Sequence, residues 1–576
     1  MHARLLRTLI VGLCAGIGLA ACGDPAADLV LINGKIVTVD DARPEVEALA
    51  VVDGRIAAVG TAEEIRPWIG ADTEVLDLQG RLAIPGFIEG HGHFMGLGNS
   101  KMILDLTEAR TWDEIVAMVE AAVARAEPGE WILGRGWHQE KWEAVPEGAV
   151  EGVPTHHRLS AVSPDNPVLL GHASGHAAFA NARAMELGRI SPETEDPEGG
   201  EIVRDAAGRP TGLLREKAQG LVRMALSEAR KQMTPDELEA EQREQVRLAG
   251  AEALAHGITT FHDAGASFET IDLFRRLADE GALPVRLYVM VRYASPEELE
   301  ARLPRYRLIG YGNDFLTVRS IKRQVDGALG PHGAWLLEPY RDLPSSTGLV
   351  LEPLDEIRRA AEIALRHGFQ VNTHAIGDRG NREILNLYEQ IFTAHPDSTD
   401  LRWRIEHAQH LHPDDIPRFA RLGVIASMQG VHCTSDGPWV LKRLGPERAE
   451  SGAYMWRALW DSGAVVTNGT DVPVEDIDPI ASFYATVTRR MPDGEVFYGR
   501  QALTRMEALR SYTLNNAYAA FEEDRKGSLT PGKLADIVVL SRDILTVPEE
   551  EILEAEVVYT ILGGDVVYRA PAEPAR

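Results

Sequence analysis

The stretch TPDELEAEQREQVRLAGAEALAHGITTFHD, residues 234–263, contains one complete repeating unit of this chain. Thr234 and Pro235 begin a helix, and Glu237 lies at the spacing of a capping box. Gly257 ends the helix, and the apolar segment ITTFHD follows it directly. The pattern predicts an amphipathic helix that leads, through a glycine stop, into a buried β-strand.

The same unit recurs along the middle of the chain. Helices are predicted to end at Gly368, Gly423 and Gly463, and the segments FQVNTH, VIASMQ and AVVTNGTD begin immediately afterwards. Helices that alternate with buried strands are typical of parallel βαβ topology. Eight strands can be counted, at Leu82 to Ile88, Ile258 to His262, Val285 to Val291, Leu316 to Val325, Phe369 to His374, Leu401 to His407, Val424 to Met428 and Ala464 to Asn468. Residues 81–519 are therefore predicted to form a TIM-like (β/α)₈ barrel of the α/β class.

Two regions lie outside this repeat. Residues 28–78 show short alternating strands that turn at Asn-Gly or Asp-Gly, and a matching pair lies at 535–543 and 557–569. We expect residues 22–80 and 520–576 to combine into one small β-sandwich domain. The roughly 160 residues between the first two barrel strands are too many for one loop, so an inserted subdomain is expected at about 95–230, above the barrel mouth. Alternatively, PVLLGHASGH at 167–176 is itself a barrel strand, which would break the count of eight.

The first residues resemble an export signal. Arg4 and Arg7 precede an apolar run at 8–21 that is too short to span a bilayer, and the run ends in Leu-Ala-Ala-Cys22, which resembles a bacterial lipobox. We expect residues 1–21 to be removed and Cys22 to be acylated, which gives an exported bacterial lipoprotein held at the periplasmic side of the cell envelope by its lipid anchor only. The alternative is a plain signal peptide.

Charge and cysteine content exclude some classes of protein. The 576 residues carry a formal net charge of -28, so nucleic acid is not an expected partner. With Cys14 in the signal and Cys22 lipidated, Cys433 has no partner for a disulfide. A small-molecule substrate is the expected partner, and the sequence leaves open whether the chain forms a homo-oligomer.

Polar side chains with metal-binding chemistry recur where the predicted strands end. Active sites of (β/α)₈ barrels form at the C-terminal ends of the strands, and imidazole and carboxylate are ligands that zinc prefers. Each position alone is a weak signal, and the ordered set is a much stronger one. The set comprises His91 and His93 after the first strand, Lys322 in the fourth, His374 and His407 at the ends of the fifth and sixth, and Asp471 after the eighth.

Several segments in the same order resemble the amidohydrolase superfamily, and within it the YtcJ-like metal-dependent hydrolases. They include PGFIEGHGHF (85–94), WILGRGWHQEKW (131–142), KRQVDGALG (322–330), HAIGDRGN (374–381), IEHAQ (405–409) and GTDVPVEDIDP (469–479). The resemblance covers nearly the whole chain after the signal. Two positions depart from the family pattern, namely Glu89, where many relatives have Asp, and His138, where the subgroup often has Asp.

The resemblance implies a divalent metal centre of one or two ions, with zinc as the first candidate. His91, His93 and Asp471 would hold one ion, and His374 and His407 a second. Lys322 matches the lysine that two-metal members carboxylate to bridge the ions, although strand alternation does not decide whether Ser320, Lys322 and Gln324 or Ile321, Arg323 and Val325 face inward. Glu216 is an alternative bridge.

Asp471 would act as base and then acid in hydrolysis of an amide-like C–N bond, with amides, formamides, cyclic amides and carbamates as substrates. A one-metal deaminase is the alternative, with Asp378 as a poor match for its glutamate, and a non-catalytic barrel lipoprotein is another. Trp137, His138 and His176 are candidate substrate contacts. Aromatic side chains near the mouth would line an apolar pocket or belong to the subdomain core; they are Phe94, Trp137, Trp142 and Trp335.

Overall fold

The centre of the molecule is a parallel β-barrel. A computed structural model describes residues 26–571, so the signal segment and Cys22 lie outside the described residues. The barrel strands pair in sequence order, each parallel to the next. They are β1 (Phe87–Gly92), β2 (Ile258–Ala266), β3 (Arg286–Val291), β4 (Leu316–Gln324), β5 (Gln370–Ala375), β6 (Arg404–His407), β7 (Ile425–Ser427) and β8 (Val466–Thr467). The eight-stranded barrel predicted from the sequence is confirmed.

The first and last strands are joined by individual hydrogen bonds beyond the short β8. The amide of Gly90 donates to the carbonyl of Asn468 at 3.1 Å. The side-chain amide of Asn516 donates to Ile88 O at 2.7 Å and to Asn468 O at 2.8 Å, so it links both strands. Side-chain and backbone donors together therefore close the barrel.

The helices begin and end where the sequence pattern indicates. Thr234 and Glu237 form the capping box of Pro235–Ala255, and Gly257 adopts φ +75°, the left-handed conformation that stops a helix. Other helices that connect barrel strands are Phe268–Asp279, Pro296–Arg302, Leu354–Arg366, Asp378–Ala394, Ile416–Leu422, Gly437–Leu444, Pro446–Gly452 and Trp456–Asp461, with Pro479–Thr488, Arg505–Tyr512 and Leu514–Ala519 after β8. Among residues 26–571, no helix is both long and apolar enough to cross a membrane.

Strands from both chain ends share a six-stranded sheet beside the barrel, in the order Asp565–Arg569, Val557–Leu562, Ile537–Leu540, Leu82–Pro85, Lys35–Val37, Glu45–Val46. A four-stranded sheet holds Arg55–Gly60, Ala48–Val52, Leu29–Ile32 and Glu74–Asp77. The expected strand Leu82 to Ile88 is therefore wrong as a single element. Its first half pairs with Ile537–Leu540, and the chain enters the barrel only after Gly86.

The insertion after β1 has its own sheet. Its strands are ordered Gly200–Arg204, Pro210–Glu216, Ala177–Ala180, Val168–His172, Ile132–Trp137, Leu104–Asp105, flanked by helices Trp112–Val123, His157–Val162, Ala182–Leu187 and Gln219–Arg230. Val168–His172 pairs only with neighbours in this sheet, so the alternative of a ninth barrel strand is wrong. A separate hydrophobic cluster around Trp112, Leu170 and Phe179 fills the insertion.

Candidate active site

Four histidine rings form a continuous row at the C-terminal end of the barrel. The ring centroids of His93 and His91 are 5.8 Å apart, those of His91 and His407 are 4.6 Å apart, and those of His407 and His374 are 4.5 Å apart. His91 belongs to β1, His374 to β5 and His407 to β6. Parallel strands present their carboxyl ends at one edge, which is why residues far apart in sequence meet here.

Asp471 completes this row from the segment after β8. Its Oδ1 lies 3.1 Å from His93 Nε2 and 3.7 Å from His91 Nε2. Asp471 has φ +61°, and its amide donates to His91 O at 2.7 Å, so the turn of the backbone fixes the carboxylate over the rings. Potential ligand atoms of His91, His407 and Asp471 all lie within 4.8 Å of one another, and the three residues are buried.

Lys322 faces the barrel interior, which strand alternation alone did not decide. Its Nζ contacts His91 Nε2 across the barrel at 3.2 Å, and only 3% of the residue is exposed. The neighbouring Arg323 points to the opposite face, where it donates to Ala294 O at 2.9 Å and pairs with Glu352. Burial lowers the pKa of Lys322 to about 7, so its amine form is accessible near neutral pH.

Three imidazoles of the row, those of His91, His374 and His407, are held neutral. Burial, followed by the charge of Lys322, lowers the pKa of His91 to about 4. Burial likewise holds the pKa values of His374 and His407 well below the usual range. Neutral imidazole is the form that binds a metal. Burial opposes ionisation of Asp471, but the nearby His93 and His91 outweigh it and lower its pKa, so the carboxylate is ionised.

Two buried side chains orient these rings, and sequence reasoning missed both. Glu406 on β6 accepts from His91 Nδ1, and Gln429 Oε1 accepts from His407 Nδ1 at 2.9 Å. Burial would raise the pKa of Glu406, but His91 and Arg404 hold it far below the usual range. Because both partners accept, each histidine carries its proton on Nδ1 and presents the Nε2 lone pair to the site. A charged residue inside a buried strand needs a partner, and that was the available sequence signal for Glu406.

Glu89 ties β1 to the segment that carries Asp471. Its carboxyl accepts from His91 N at 3.1 Å, from Thr470 N at 2.8 Å and from Thr470 Oγ1 at 2.9 Å. Burial raises the pKa of Glu89 to about 8. Glu89, which stands where many relatives have aspartate, therefore has a structural role: it supports the backbone that carries His91 and Asp471.

Asp326 plays a corresponding part near His374. It accepts backbone amides of Trp335, Ile376 and Gly377 at 2.8, 3.0 and 2.8 Å, and its Oδ1 lies 3.6 Å from His374 Nε2. Burial raises the pKa of Asp326 to about 7. This residue, also missed, fixes the loop that follows β5.

The chain matches the amidohydrolase family model over residues 74–568. It belongs to the amidohydrolase family. It is 33% identical over 555 residues to the protein LONG AFTER FAR-RED 3 of Arabidopsis thaliana, covering 94% of this chain and 92% of that protein. Identity to YtcJ of Bacillus subtilis (strain 168) is 30% over 545 residues, covering 93% and 98%.

Two further comparisons bear on chemistry. The N-substituted formamide deformylase of Arthrobacter pascens is 29% identical over 550 residues, covering 94% of this chain and 98% of that enzyme. The crystal structure of an uncharacterized metal-dependent hydrolase from Pyrococcus horikoshii OT3 superposes with a TM-score of 0.72 at 28% identity, covering 91% of this chain and 99% of that one. The resemblance to YtcJ-like hydrolases is confirmed.

The donors of this amidohydrolase fit a divalent metal. The row offers imidazole nitrogens and one carboxylate, the set that suits zinc and similar ions. His374 Nε2 is buried without a hydrogen-bond partner within the described residues, which is costly unless something else binds it. His91, His93, His374, His407 and Asp471 would hold metal, and Lys322 lies where an anionic bridge would reach them.

The three substrate contacts expected in the insertion differ in their exposure. Trp137 is 1% exposed, donates to Leu170 O at 2.8 Å and stacks on Trp142, so it belongs to the insertion core and not to the mouth. His138 and His176 are half-buried. His176 Nδ1 lies 3.0 Å from Glu216 Oε2.

Other aromatic and acidic candidates also have structural partners. Phe94 packs in the barrel core against Phe261. Trp335 is half-buried under the guanidinium of Arg379. Asp378 accepts the amide of Leu337 at 2.9 Å, which gives it a role at the start of a helix. Glu216 is paired with His176 in the insertion.

Arg135 links the inserted subdomain to the C-terminal end of the barrel, called the metal end below because it carries the row of histidines. Its guanidinium donates to the carbonyl of Pro473, two residues after Asp471, and to Ala173 O at 2.8 Å. His432, after β7, is a further neighbour of the row. Its ring stacks 6.2 Å from that of His407, and Gln409 contacts its Nδ1 at 2.8 Å.

Proposed function

We propose that this amidohydrolase cleaves an amide-like C–N bond of a small molecule, with a divalent metal centre for which zinc is the first candidate. The observation that carries the proposal is the position of Asp471. Its ionised carboxylate lies 3.1 Å from His93 and within the same group of ligand atoms as His91 and His407. A proton acceptor therefore stands beside the residues that would hold the metal.

A bound divalent ion would polarise the scissile carbonyl and make attack by water feasible near neutral pH. Asp471 accepts the proton of the attacking water, since its depressed pKa keeps it ionised. The same carboxyl then delivers that proton to the leaving nitrogen, which departs as an amine. Glu406 and Gln429 keep the Nε2 atoms of His91 and His407 pointed at the site throughout.

His432 offers a further polar group to the substrate. Its Nε2 is buried and has no hydrogen-bond partner among the described residues, while Gln409 fixes the other nitrogen. A buried polar atom of this kind is costly unless a ligand satisfies it. We assign to it a hydrogen bond with the substrate amide.

Similarity to an N-substituted formamide deformylase supports amide-like substrates. The test is a panel of formamides, N-acyl compounds, cyclic amides and carbamates, with the released amine and acid both identified. Hydrolysis to an amine and a carboxylic acid is expected. Release of ammonia from amino-heterocycles alone, without amide cleavage, would instead establish the deaminase reaction.

Metal content tests the same proposal independently. The purified protein should contain one to two equivalents of zinc or a similar ion, and His374→Ala and His407→Ala should each lower metal content and activity together. The matched control is His367→Ala, because His367 lies after the helix that precedes β5, at the other end of the strand. Full activity after exhaustive chelation would contradict the metal mechanism.

We further propose that the protein is an exported lipoprotein acylated at Cys22. The support is the lipobox-like Leu-Ala-Ala-Cys after a short apolar run. Cys22→Ala should give soluble or uncleaved protein in a bacterial host. An unmodified N-terminus at another residue, found by mass spectrometry of the wild type, would contradict this proposal.

A further inference from the structure

Two arginines at the mouth of the barrel have guanidinium groups that form no ion pair with a carboxylate among the described residues. Arg292 follows β3 directly, and Arg223 lies in the helix Gln219–Arg230 of the insertion. Within the side chains that the structure describes, neither forms an ion pair, and the described hydrogen bonds of each go to a glutamine.

Arg292 lies next to the metal end of the barrel. Its Nη2 donates to Gln324 Oε1 at 2.8 Å, and Gln324 is paired across the sheet with His374. After burial, Arg292 is one of the groups that lower the pKa of His374 and of Lys322. Its positive charge therefore acts electrostatically on residues of the proposed catalytic centre.

Arg223 approaches the same region from the insertion. It is exposed to solvent and donates to Gln219 Oε1 at 3.2 Å. The phenol of Tyr293, the residue after Arg292, is within electrostatic reach of Arg223, and the guanidinium of Arg292 lies 5.0 Å from the same ring. Both arginines therefore lie near Tyr293, one carried by the barrel and the other by the insertion.

Arg135 adds a third positive charge but is already occupied. Its guanidinium binds the carbonyls of Pro473 and Ala173. Burial lowers the pKa of Arg135 to about 10; Asp471 and Glu475 oppose this decrease, and the charge of Arg223 adds to it. Like charges gathered in one cleft repel each other unless an anion joins them. The free donors at this mouth are those of Arg223 and Arg292.

We propose that the substrate carries an oxyanion group, a carboxylate or a phosphate ester, in the part that does not react, and that Arg223 and Arg292 bind it. This inference rests on the proposed amide hydrolysis. A guanidinium offers two parallel N–H donors that match either group. Because one arginine belongs to the insertion and the other to the barrel, the anion would also join the two across the mouth.

The experiment uses matched substrates and the metal-loaded full chain. Each active amide is tested as its free carboxylate, as the neutral primary amide of that carboxylate, and as a phosphate ester of equal length. The wild type should favour an anionic member by about tenfold to a hundredfold in kcat/KM, mostly through KM, at low salt. Whether the carboxylate or the phosphate is favoured identifies the group.

Variants locate the effect. Arg223→Gln and Arg292→Gln should each reduce the ratio of kcat/KM for the anionic substrate to that for the neutral substrate at least about tenfold. The control is Arg319→Gln, which removes the same charge near the other end of β4, where Arg319 stacks on Phe521 at 3.6 Å. An anionic preference that is absent, or that survives both variants, would overturn the inference while amide hydrolysis stands.

A binding measurement keeps the two proposals separate. Phenylacetate, phenylacetamide and inorganic phosphate are titrated calorimetrically into the metal-loaded protein. Tighter binding of an anion that is lost in Arg223→Gln and Arg292→Gln, but kept in Arg319→Gln, supports the anion site even if no amide in the panel is hydrolysed. Binding that is equal in all four proteins reflects the metal alone and overturns the site.

Discussion

The two ends of the barrel differ in how their buried polar groups are paired. At the N-terminal end, Glu522 accepts from Thr317 at 2.7 Å and pairs with Lys526 at 2.9 Å, both deeply buried. Gln370 likewise donates to Ala519 O at 2.8 Å. At the C-terminal end, His374 and His432 each keep a buried nitrogen without a partner within residues 26–571.

The difference separates stability from function. Buried polar groups are normally paired, because an unpaired one loses its hydrogen bonds to water without replacement. The Glu522–Lys526 pair and the hydrogen bond of Gln370 at the N-terminal end follow this rule and help to hold the fold together. The other end leaves donors and guanidinium charges open, as expected where a metal and a substrate supply the missing partners.

The largest effect is expected at the metal end, for Lys322→Ala. Groups that merely orient a ligand affect metal affinity or activity by about 10–100-fold, so loss of a bridge should lower kcat/KM by more than about 100-fold and abolish binding of a second ion. Metal analysis and kinetics measure both. Arg323→Ala, on the outward face of the same strand, should keep its metal.

Short carboxylic acids should partly restore Lys322→Ala, since they can occupy the vacated bridge. A variant with two ions and normal turnover would mean that Lys322 does not bridge. In that case Glu216, which is paired with His176 in the insertion, stays the alternative bridge, and Glu216→Gln should then lower the metal content.

The next largest effect is expected at the other end, for Arg286→Met. Arg286 on β3 makes two hydrogen bonds, at 2.8 and 2.9 Å, to Asp536 of the terminal sheet, and both residues are buried. Breaking a buried pair from one side costs about 3–5 kcal/mol, so the thermal midpoint should fall while metal content at low temperature stays unchanged. Arg55→Met, which removes an exposed partner of Asp314, should shift it far less.

The same pair predicts a pH dependence. Burial would raise the pKa of Asp536, but Arg286 outweighs it and holds that pKa below the usual value. A carboxyl with a depressed folded-state pKa stabilises the fold above its unfolded pKa of about 3.9, and this is lost as pH falls through the folded-state value. The wild type's advantage over Arg286→Met should therefore shrink in acid. An advantage that grew below about pH 4 would contradict the pairing.

Periodicity was enough to predict the barrel. Each unit combines a local helix stop with a buried strand, and parallel strands leave few other ways to bury such segments. The strand at Leu82 to Ile88 was misjudged because both halves are apolar, and only pairing with Ile537–Leu540 separates them. Long-range pairing of this kind leaves no trace in local sequence.

The site could be predicted only in part. Strand ends located the ligand candidates, since the fold places all strand ends together. Strand alternation could not show which face of β4 turns inward. Trp137 could not be told from a residue at the barrel mouth, because the same aromatic residue types occur in hydrophobic cores and in substrate pockets. The role of Glu406 could have been predicted, because a charged residue in a buried strand needs a partner. The role of Gln429 could not, because its contact with His407 depends on the path of the chain after β7.

Glu406→Gln tests whether orientation of His91 matters at the metal end. The amide is nearly the same size but loses the charge that holds the proton on His91 Nδ1. Metal affinity should fall by about 10–100-fold, measured by competition with a chelator. Glu522→Gln, an equally buried change at the paired end, should leave metal affinity unchanged although it lowers stability.

A smaller effect on stability is expected for Gly469→Ala, next to the hydrogen bonds of Glu89 that support the histidine row. A Cβ at this position would meet Glu89 Oε1 and lie 2.7 Å from His91 N, the two atoms of the hydrogen bond that joins β1 to the Asp471 segment. The Glu89 carboxyl can move slightly but the backbone of His91 cannot, so the cost should lie toward the upper end of the about 1–3 kcal/mol typical of overpacking, still below that of breaking the Arg286–Asp536 pair. Because the displaced atoms position His91 and Asp471, kcat should fall more than KM changes. Gly220→Ala is the matched control, since nothing lies within 4 Å of its Cβ and alanine favours a helix. If both variants keep wild-type stability and kcat, the hydrogen bonds of Glu89 do not fix the metal end.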